Sequence, residues 1–434
     1  MTRLLISLTI AALAAILPEA NAAESLSADI NKDYEDRLAA LFVHFHENPE
    51  LSNREVATAA RLTEEISQYG YEITQGVGGT GIVAVMTNGS GPTVMLRADM
   101  DGLPVEELVD IPYASKARQV DVDGEEKPVM HACGHDVHIT AMAGIAKLMA
   151  ERRDDWSGTL MLIGQPAEER IIGARQMMED GLYERFPKPD YALAFHVSAG
   201  QPSGTIQLDP GITYSSSDSV DIVVRGIGAH GASPHRGVDP VLVAAQIVVS
   251  LQSVVSRSIA PLAPGVITVG SIHGGTKHNI IGERVDMQLT VRSDSPEVRE
   301  QLLDGIDRVA EGVARSLGVP DDRLPEVIRS EESTPPTFND DELAIRLNGI
   351  FTAHFGEDQM YSEPREGMGA EDFAYFIQPE TGVRGAYISI GGTPVADLET
   401  APSHHSPDFY VEPEPSVKAG VESMVLGAMT LMPK

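Results

Sequence analysis

The chain has 434 residues, 42% of them hydrophobic, enough for a sizeable core and for two or three domains of ordinary size. Sixty-four acidic residues against 32 basic leave a net charge of −32, which repels phosphate backbones and anionic lipid heads and argues against nucleic-acid or membrane-surface partners. The single cysteine, Cys133, excludes an intramolecular disulfide, so its thiol is either buried and inert or committed to chemistry.

The N-terminus reads as an export signal. Arg3 supplies the positive start, Leu4 to Leu17 are largely apolar, and Ala20-Asn21-Ala22 fits a small-x-small cleavage site. The apolar run is shorter than the roughly 20 residues of a membrane span, and no second long apolar stretch is expected downstream. Residues 1–22 are therefore expected to be removed, leaving a soluble periplasmic or secreted protein that starts near Ala23.

From Asp29 to Gly79 the pattern predicts two amphipathic helices, broken around Asn48-Pro49 and Gly70. Strands are expected at Gly81 to Met86, Thr93 to Arg97, Thr159 to Gly164 and Tyr191 to His196, with a helix from about His138 to Arg152 among them. Strands alternating with helices argue for an α/β domain with a mostly parallel central sheet covered on both faces. Near Ser215 the pattern changes. Ser219 to Arg225 alternates apolar and polar residues, Val266 to Ser271 and Arg284 to Arg292 read as strands, and Pro240 to Arg257 and Pro296 to Leu317 as helices. One-sided strands with two helices suggest a separate α+β domain built on a small antiparallel sheet. The expected organisation is a signal peptide (1–22), a first catalytic segment (23–214), an inserted domain (215–325) and a second catalytic segment (326–434).

The densest chemical signal is Met130-His131-Ala132-Cys133-Gly134-His135-Asp136. A cysteine and a histidine two apart cannot share a helix face, but a glycine-centred loop can turn both toward one point, and thiolate and imidazole are favoured zinc ligands. Alone, the triplet is weak evidence, and a buried cysteine that ligates nothing is the better reading of it. Gln165-Pro166-Ala167-Glu168-Glu169 follows a strand directly. One of its carboxylates can hold a metal while the other stands over bound water as a general base, although an isolated Glu-Glu pair is more often a solvated helix start. His196 closing an apolar strand and His404-His405 in a loop complete four signals. Ligands at strand ends and loops suit an open α/β sheet, whose sites lie beyond the carboxyl ends of the strands.

Arg97-Ala98-Asp99-Met100-Asp101-Gly102-Leu103-Pro104, the Cys133 loop, Gln165 to Glu169, Gly228 to Pro234 and Gly369-Ala370-Glu371-Asp372-Phe373 occur in this order. Together they resemble the aminoacylase-type metallopeptidases (family M-twenty), specifically the amidohydrolases of N-acyl amino acids, hippurate and auxin conjugates, over nearly the whole chain from about residue 30. The resemblance implies a two-metal catalytic domain with an inserted lid and dimerisation domain. It implies metal ligands at Cys133, His135, Glu169, His196 and His405, the last two residues before Pro407, with Glu168 as general acid/base. It also implies that Asp101 supports the site from behind, and that Asp99 stands where sister subfamilies carry a histidine ligand. His230 is implied as a lid histidine that reaches the partner subunit's active site, binding substrate and donating to the oxyanion, with Asn279 as a second substrate-binding residue. The cofactors implied are two divalent ions per subunit, of zinc, manganese, cobalt or nickel. The partners implied are a small N-acyl amino acid or dipeptide-like substrate and a second copy of the chain. A dipeptidase or carboxypeptidase on the same scaffold and a non-catalytic binding protein for metal or acyl amino acids are the alternative readings. Retention of Glu168 speaks against the second, because binding alone has no use for a base beside the metal.

Overall fold

A computed structural model describes residues 25–434; the expected signal segment, 1–22, lies outside them. The chain divides into two compact units, one comprising the residues up to Gly211 with Asn339–Pro364 and Phe376–Lys434, the other Ile212–Phe338 with Arg365–Tyr375.

The first unit opens with a helix over residues 25–33 that continues through a π-helical turn at Tyr34–Leu38 into Ala39–Glu47 (together α1). Pro49 disfavours helical geometry at Asn48, which ends α1 at φ −128°. Helix α2 spans Val56–Ser67 and stops before Gly70, whose φ is +79°. The helical pattern expected as far as Gly79 does not continue: Glu72–Val77 is a strand, β1, paired antiparallel with β2 (Gly81–Asn88). It lies at the sheet edge and is largely exposed, so its sequence carries no buried alternation. Next come β3 (Thr93–Asp99), α3 (His135–Glu151), β4 (Gly158–Gln165), β5 (Tyr191–Pro202) and the short β6 (Ile206–Gln207).

The second unit has its own core. Strands β7 (Ser216–Arg225), β8 (Gly265–Gly274), β9 (Arg284–Ser293) and β10 (Glu326–Thr334) form an antiparallel sheet in the order β8-β9-β7-β10. Val220, Ile222 and Val224 of β7, with Val285, Met287, Leu289 and Val291 of β9, point to one face, as strand periodicity requires. Helices α4 (Pro240–Ser253) and α5 (Pro296–Ser316) cover that face through Val243, Ile247 and Leu251 and through Leu302 and Ile306. Both start with proline in the first turn and a capped amide: Asp239 accepts from the Val241 N–H, Ser295 from the Val298 N–H. The unit therefore ends beyond residue 325, because β10 completes the small sheet at its polar edge, and residues 365–375 join it. Helix α4 also departs from the expectation that no second long apolar stretch follows the N-terminus. With its π-helical extension it forms a 19-residue segment, Pro240–Ser258, of mean hydropathy 1.5, long and apolar enough to cross a membrane by length and composition. Its inner face packs on the small sheet, while Val241, Leu242 and Val249 are exposed.

The chain then returns to the first unit through α6 (Asp341–Phe355), capped by Asp340, then β11 (Arg384–Thr393) and α7 (Pro413–Leu431). The main sheet has the order β1-β2-β4-β3-β5-β11-β6. Its three central pairings are parallel and its three outer ones antiparallel. The parallel strands are buried on both faces, so they read as near-continuous apolar runs such as Leu160-Met161-Leu162-Ile163. Helix α3 is buried along almost all its length, with α7 packed beside it.

Candidate active site

Parallel β3, β4 and β5 bring their carboxyl ends to one side of the sheet, where open α/β folds place their sites. Asp99 ends β3 and Asp101 follows it; Gln165 ends β4, and Pro166 to Glu169 form the loop beyond. Cys133 lies in the loop entering α3, and His135 is the first residue of that helix, three residues earlier than expected. Between them Gly134 has φ +81°, and a Cβ there would stand 2.2 Å from Val197 Cγ1, so only glycine makes this turn. His196 does not end its strand: pairing with β11, where it stands opposite Ser389, carries β5 on to Pro202.

These segments converge. Cys133 Sγ lies 3.4 Å from His196 Nε2, and His405 Nε2 lies 3.3 Å from Glu169 Oε2. His135 Nε2 is 3.8 Å from Glu169 Oε1 and 3.9 Å from Glu168 Oε2. Within the first unit, ligand atoms within 4.8 Å of one another form four overlapping triads: Cys133-His135-His196, Cys133-Glu169-His405, His135-Glu168-Glu169 and Asp99-His135-His138. His404 turns aside, its Nε2 3.0 Å from the Val197 carbonyl.

The set fits a divalent cation. His135 Nε2 and Glu169 Oε1 are buried without a hydrogen-bond partner, a state that is costly unless something else binds them. Their 3.8 Å separation is too long for a hydrogen bond, yet donors held tetrahedrally at about 2.0–2.3 Å from an ion stand about 3.3–3.8 Å apart. Each ring's other nitrogen faces a carbonyl: His135 Nδ1 donates to Asp101 O at 2.8 Å and His196 Nδ1 to Val197 O at 2.7 Å. That choice of tautomer aims both Nε2 lone pairs into the cluster. Burial pushes Glu169 up to about 8, with Asp101 and Asp99 adding to the shift and His135 opposing it. Burial opposes charge on His135, but Asp99, Asp101 and Glu169 outweigh it and raise the imidazole to about 10. The cluster thus holds protons that a bound cation would displace.

A buried frame fixes this arrangement. Asp101 accepts from Glu168 N (3.2 Å), Glu169 N (3.0 Å) and Ser52 Oγ (2.6 Å). Asp99 has both oxygens engaged, one 2.7 Å from Arg97 Nη1 and the other 2.5 Å from His138 Nδ1, so it braces the site although it lies 3.6 Å from His135 Nε2. His138 Nε2 in turn accepts the Val197 N–H at 2.9 Å, beside His196. Ala167 sits at φ +49°, a left-handed geometry that costs a residue with a Cβ roughly 1–2 kcal/mol. Its N–H is received by buried Glu55 at 2.8 Å. His138 and Glu55 are absent from the sequence-based site. His138 lies three residues after His135 on α3, a spacing that puts both on one helix face and could have drawn notice. Glu55, just before α2, reads only as favourable negative charge at a helix start.

In the second unit, Ala229–His230 pairs with Ile280–Ile281, and the Gly231 N–H donates to Asn279 O at 2.9 Å, so His230 and Asn279 are neighbours. His230 is exposed, and its Nδ1 accepts the Ala232 N–H at 3.0 Å. The proton of the neutral ring is thereby assigned to Nε2, which can donate.

Residues 95–429 match the model of Peptidase family M20/M25/M40. The chain is 36% identical over 364 residues to thermostable carboxypeptidase 2 of Saccharolobus solfataricus, covering 83% of this chain and 87% of that one. It is 35% identical over 335 residues to hippurate hydrolase of Campylobacter jejuni, covering 77% and 83%. A Bacillus subtilis structure described as a dinuclear metal binding peptidase from the M20 family superposes with a TM-score of 0.74 at 27% identity, over 92% of this chain and 99% of that one. The chain belongs to peptidase family M20/M25/M40 and is a metal-dependent amidohydrolase.

Proposed function

We propose that this protein hydrolyses the amide bond of N-acyl amino acids, hippurate-like compounds among them, with Cys133, His135, Glu169, His196 and His405 holding two divalent ions and Glu168 acting as general acid/base. One observation carries the division of labour. Both carboxylates approach His135 Nε2, but only Glu169 also reaches Cys133 and His405, which leaves Glu168 beside the ligand set. When bound, the ions would lower the pKa of a water and polarise the amide carbonyl. Glu168, almost wholly buried, takes the proton from the attacking water and passes it to the departing nitrogen. His230 donates from Nε2 to the oxyanion, and Asn279 beside it orients the substrate. A thiolate ligand favours zinc, cobalt or nickel, while the carboxylate and imidazoles admit manganese.

The family setting supports a homodimer in which His230 serves the partner's site, and the exposed Val241, Leu242 and Val249 of α4 suit burial against a second copy. Export through residues 1–22 completes the reading. A relative named as a carboxypeptidase supports peptides as the second substrate class. The test is release of free amino acid from a panel of acyl amino acids and dipeptides by the metal-reconstituted protein, with and without chelator. Chelator-sensitive release with acyl amino acids preferred is expected. A tenfold higher kcat/KM on dipeptides moves the assignment to a peptidase, and no release from either class overturns it.

A further inference from the structure

Three consecutive amides of the catalytic loop, those of Ala167, Glu168 and Glu169, are each received by a buried carboxylate. Asp101 takes the last two. The first goes to Glu55, which is fully buried and whose Oε1 accepts from Ala167 N at 2.8 Å and from Asn53 N at 2.9 Å, while its Oε2 accepts from Thr80 Oγ1 at 2.5 Å. Glu55 thus ties the start of α2 and the beginning of β2 to the residue immediately before the Glu168–Glu169 pair. That residue needs a tie. Ala167 holds φ +49° and Ile171 φ +50° within one short loop. The loop closes tightly on itself, since a Cβ on Gly173 would stand 1.6 Å from Pro166 O. Residues with a Cβ keep left-handed geometry only where their surroundings over-determine it. Without the Glu55 acceptor, the Ala167 N–H would be buried and unmatched, and the backbone would relax toward an ordinary conformation.

We propose that Glu55 is a positioning residue for the metal-ligating and catalytic carboxylates, acting through the Ala167 backbone to aim Glu169 at the cation and Glu168 beside it. The proposal rests on the reading of Glu169 as a metal ligand, and metal binding tests it without any substrate.

The experiment is titration of the metal-free full chain with Co²⁺, following affinity and the visible spectrum of the bound ion, with Glu169→Gln as control. Glu55→Ala should bind Co²⁺ about 10–100-fold more weakly, the range typical for losing a group that supports a ligand, and with a shifted spectrum. Glu55→Gln should stay within about threefold of the original, because its carbonyl oxygen can accept the Ala167 N–H and its NH₂ can donate to Thr80. Adding Ala167→Gly to Glu55→Ala should restore at least about threefold in affinity, since glycine holds positive φ without the tie. A role confined to general stability would give no such recovery. Should the alanine variant fail to fold, Glu55→Asp keeps the charge but withdraws the acceptor by one methylene and should bind at least about fivefold more weakly. Undiminished affinity in Glu55→Ala or Glu55→Asp, a glutamine variant as weak as the alanine one, or no recovery with Ala167→Gly overturns the proposal. If instead Glu169→Gln binds Co²⁺ as the unaltered protein does, the ligand assignment itself fails.

Discussion

Replacing Asp101 with asparagine probes the frame of the site with almost no change of shape. Asp101 Oδ1 accepts the Glu168 N–H at 3.2 Å; Oδ2 accepts the Glu169 N–H at 3.0 Å and the Ser52 hydroxyl at 2.6 Å. Asparagine offers one oxygen and one NH₂, so either orientation sets donor against donor. With NH₂ at the Oδ2 position, Ser52 can turn to accept, but the Glu169 N–H is stranded; with NH₂ at the Oδ1 position, the Glu168 N–H is. One buried amide without an acceptor costs about 1–3 kcal/mol. Since about 1.4 kcal/mol is a factor of ten, the loss corresponds to roughly 5–150-fold in metal affinity if it falls on the loop that carries Glu169. Competition titration of the metal-free variant with a chromophoric chelator measures that affinity, and denaturant unfolding of the same sample shows whether it is folded. A folded Asp101→Asn variant within twofold of the original affinity would refute the reasoning, because the loop would then be held without this carboxylate.

Three further outcomes are expected. His230→Ala should keep metal and fold yet lose turnover, and mixing it with Glu168→Ala should recover activity if each site borrows the partner's histidine; no recovery in demonstrated heterodimers would confine His230 to its own chain. Burial opposes charge on His46, but Asp136 at 2.7 Å and Glu107 at 3.1 Å raise it from 6.5 to about 10. Because the folded-state pKa is the higher, its stabilisation is complete below about pH 6.5 and is lost as pH rises through 10, so the stability gap between the original protein and His46→Gln should shrink across that window, and a constant gap would contradict the linkage. Mass spectrometry of protein recovered from its native envelope should find a mature start near Ala23, and an intact Met1 in soluble cytoplasmic protein would reject export.

What was legible in the sequence was what chain-local chemistry writes into it. Leu160 to Ile163 and Ala192 to Phe195 announce strands buried on both faces, and glycine between Cys133 and His135 announces a turn that can aim both at one point. Two of the strands that went unread, Glu72–Val77 and Glu326–Thr334, are exposed edge strands whose pairing partners decide their conformation, so their polar sequences carry no period-two signal; Arg384–Thr393 also went unread, although it is buried beside β5. The same holds at the site. The residues gathered there come from motifs of recognisable chemistry, whereas Glu55 and His138 acquire meaning from the Ala167 and Val197 amides, 112 and 59 positions away. Domain limits shifted for a related reason: β10 belongs to the small sheet because it pairs with β7, a long-range fact absent from its own composition.

Metal content and single-turnover rate, determined side by side for Glu168→Gln and Glu169→Gln, address the division of labour at the centre of this reading. Glu168→Gln should retain its metal and slow by about 10²–10⁴, the usual loss of general-base help, while Glu169→Gln should fail chiefly by losing metal. If Glu168→Gln loses metal while Glu169→Gln keeps it and merely slows, the two roles are reversed; if both stay fast, the chemistry lies elsewhere.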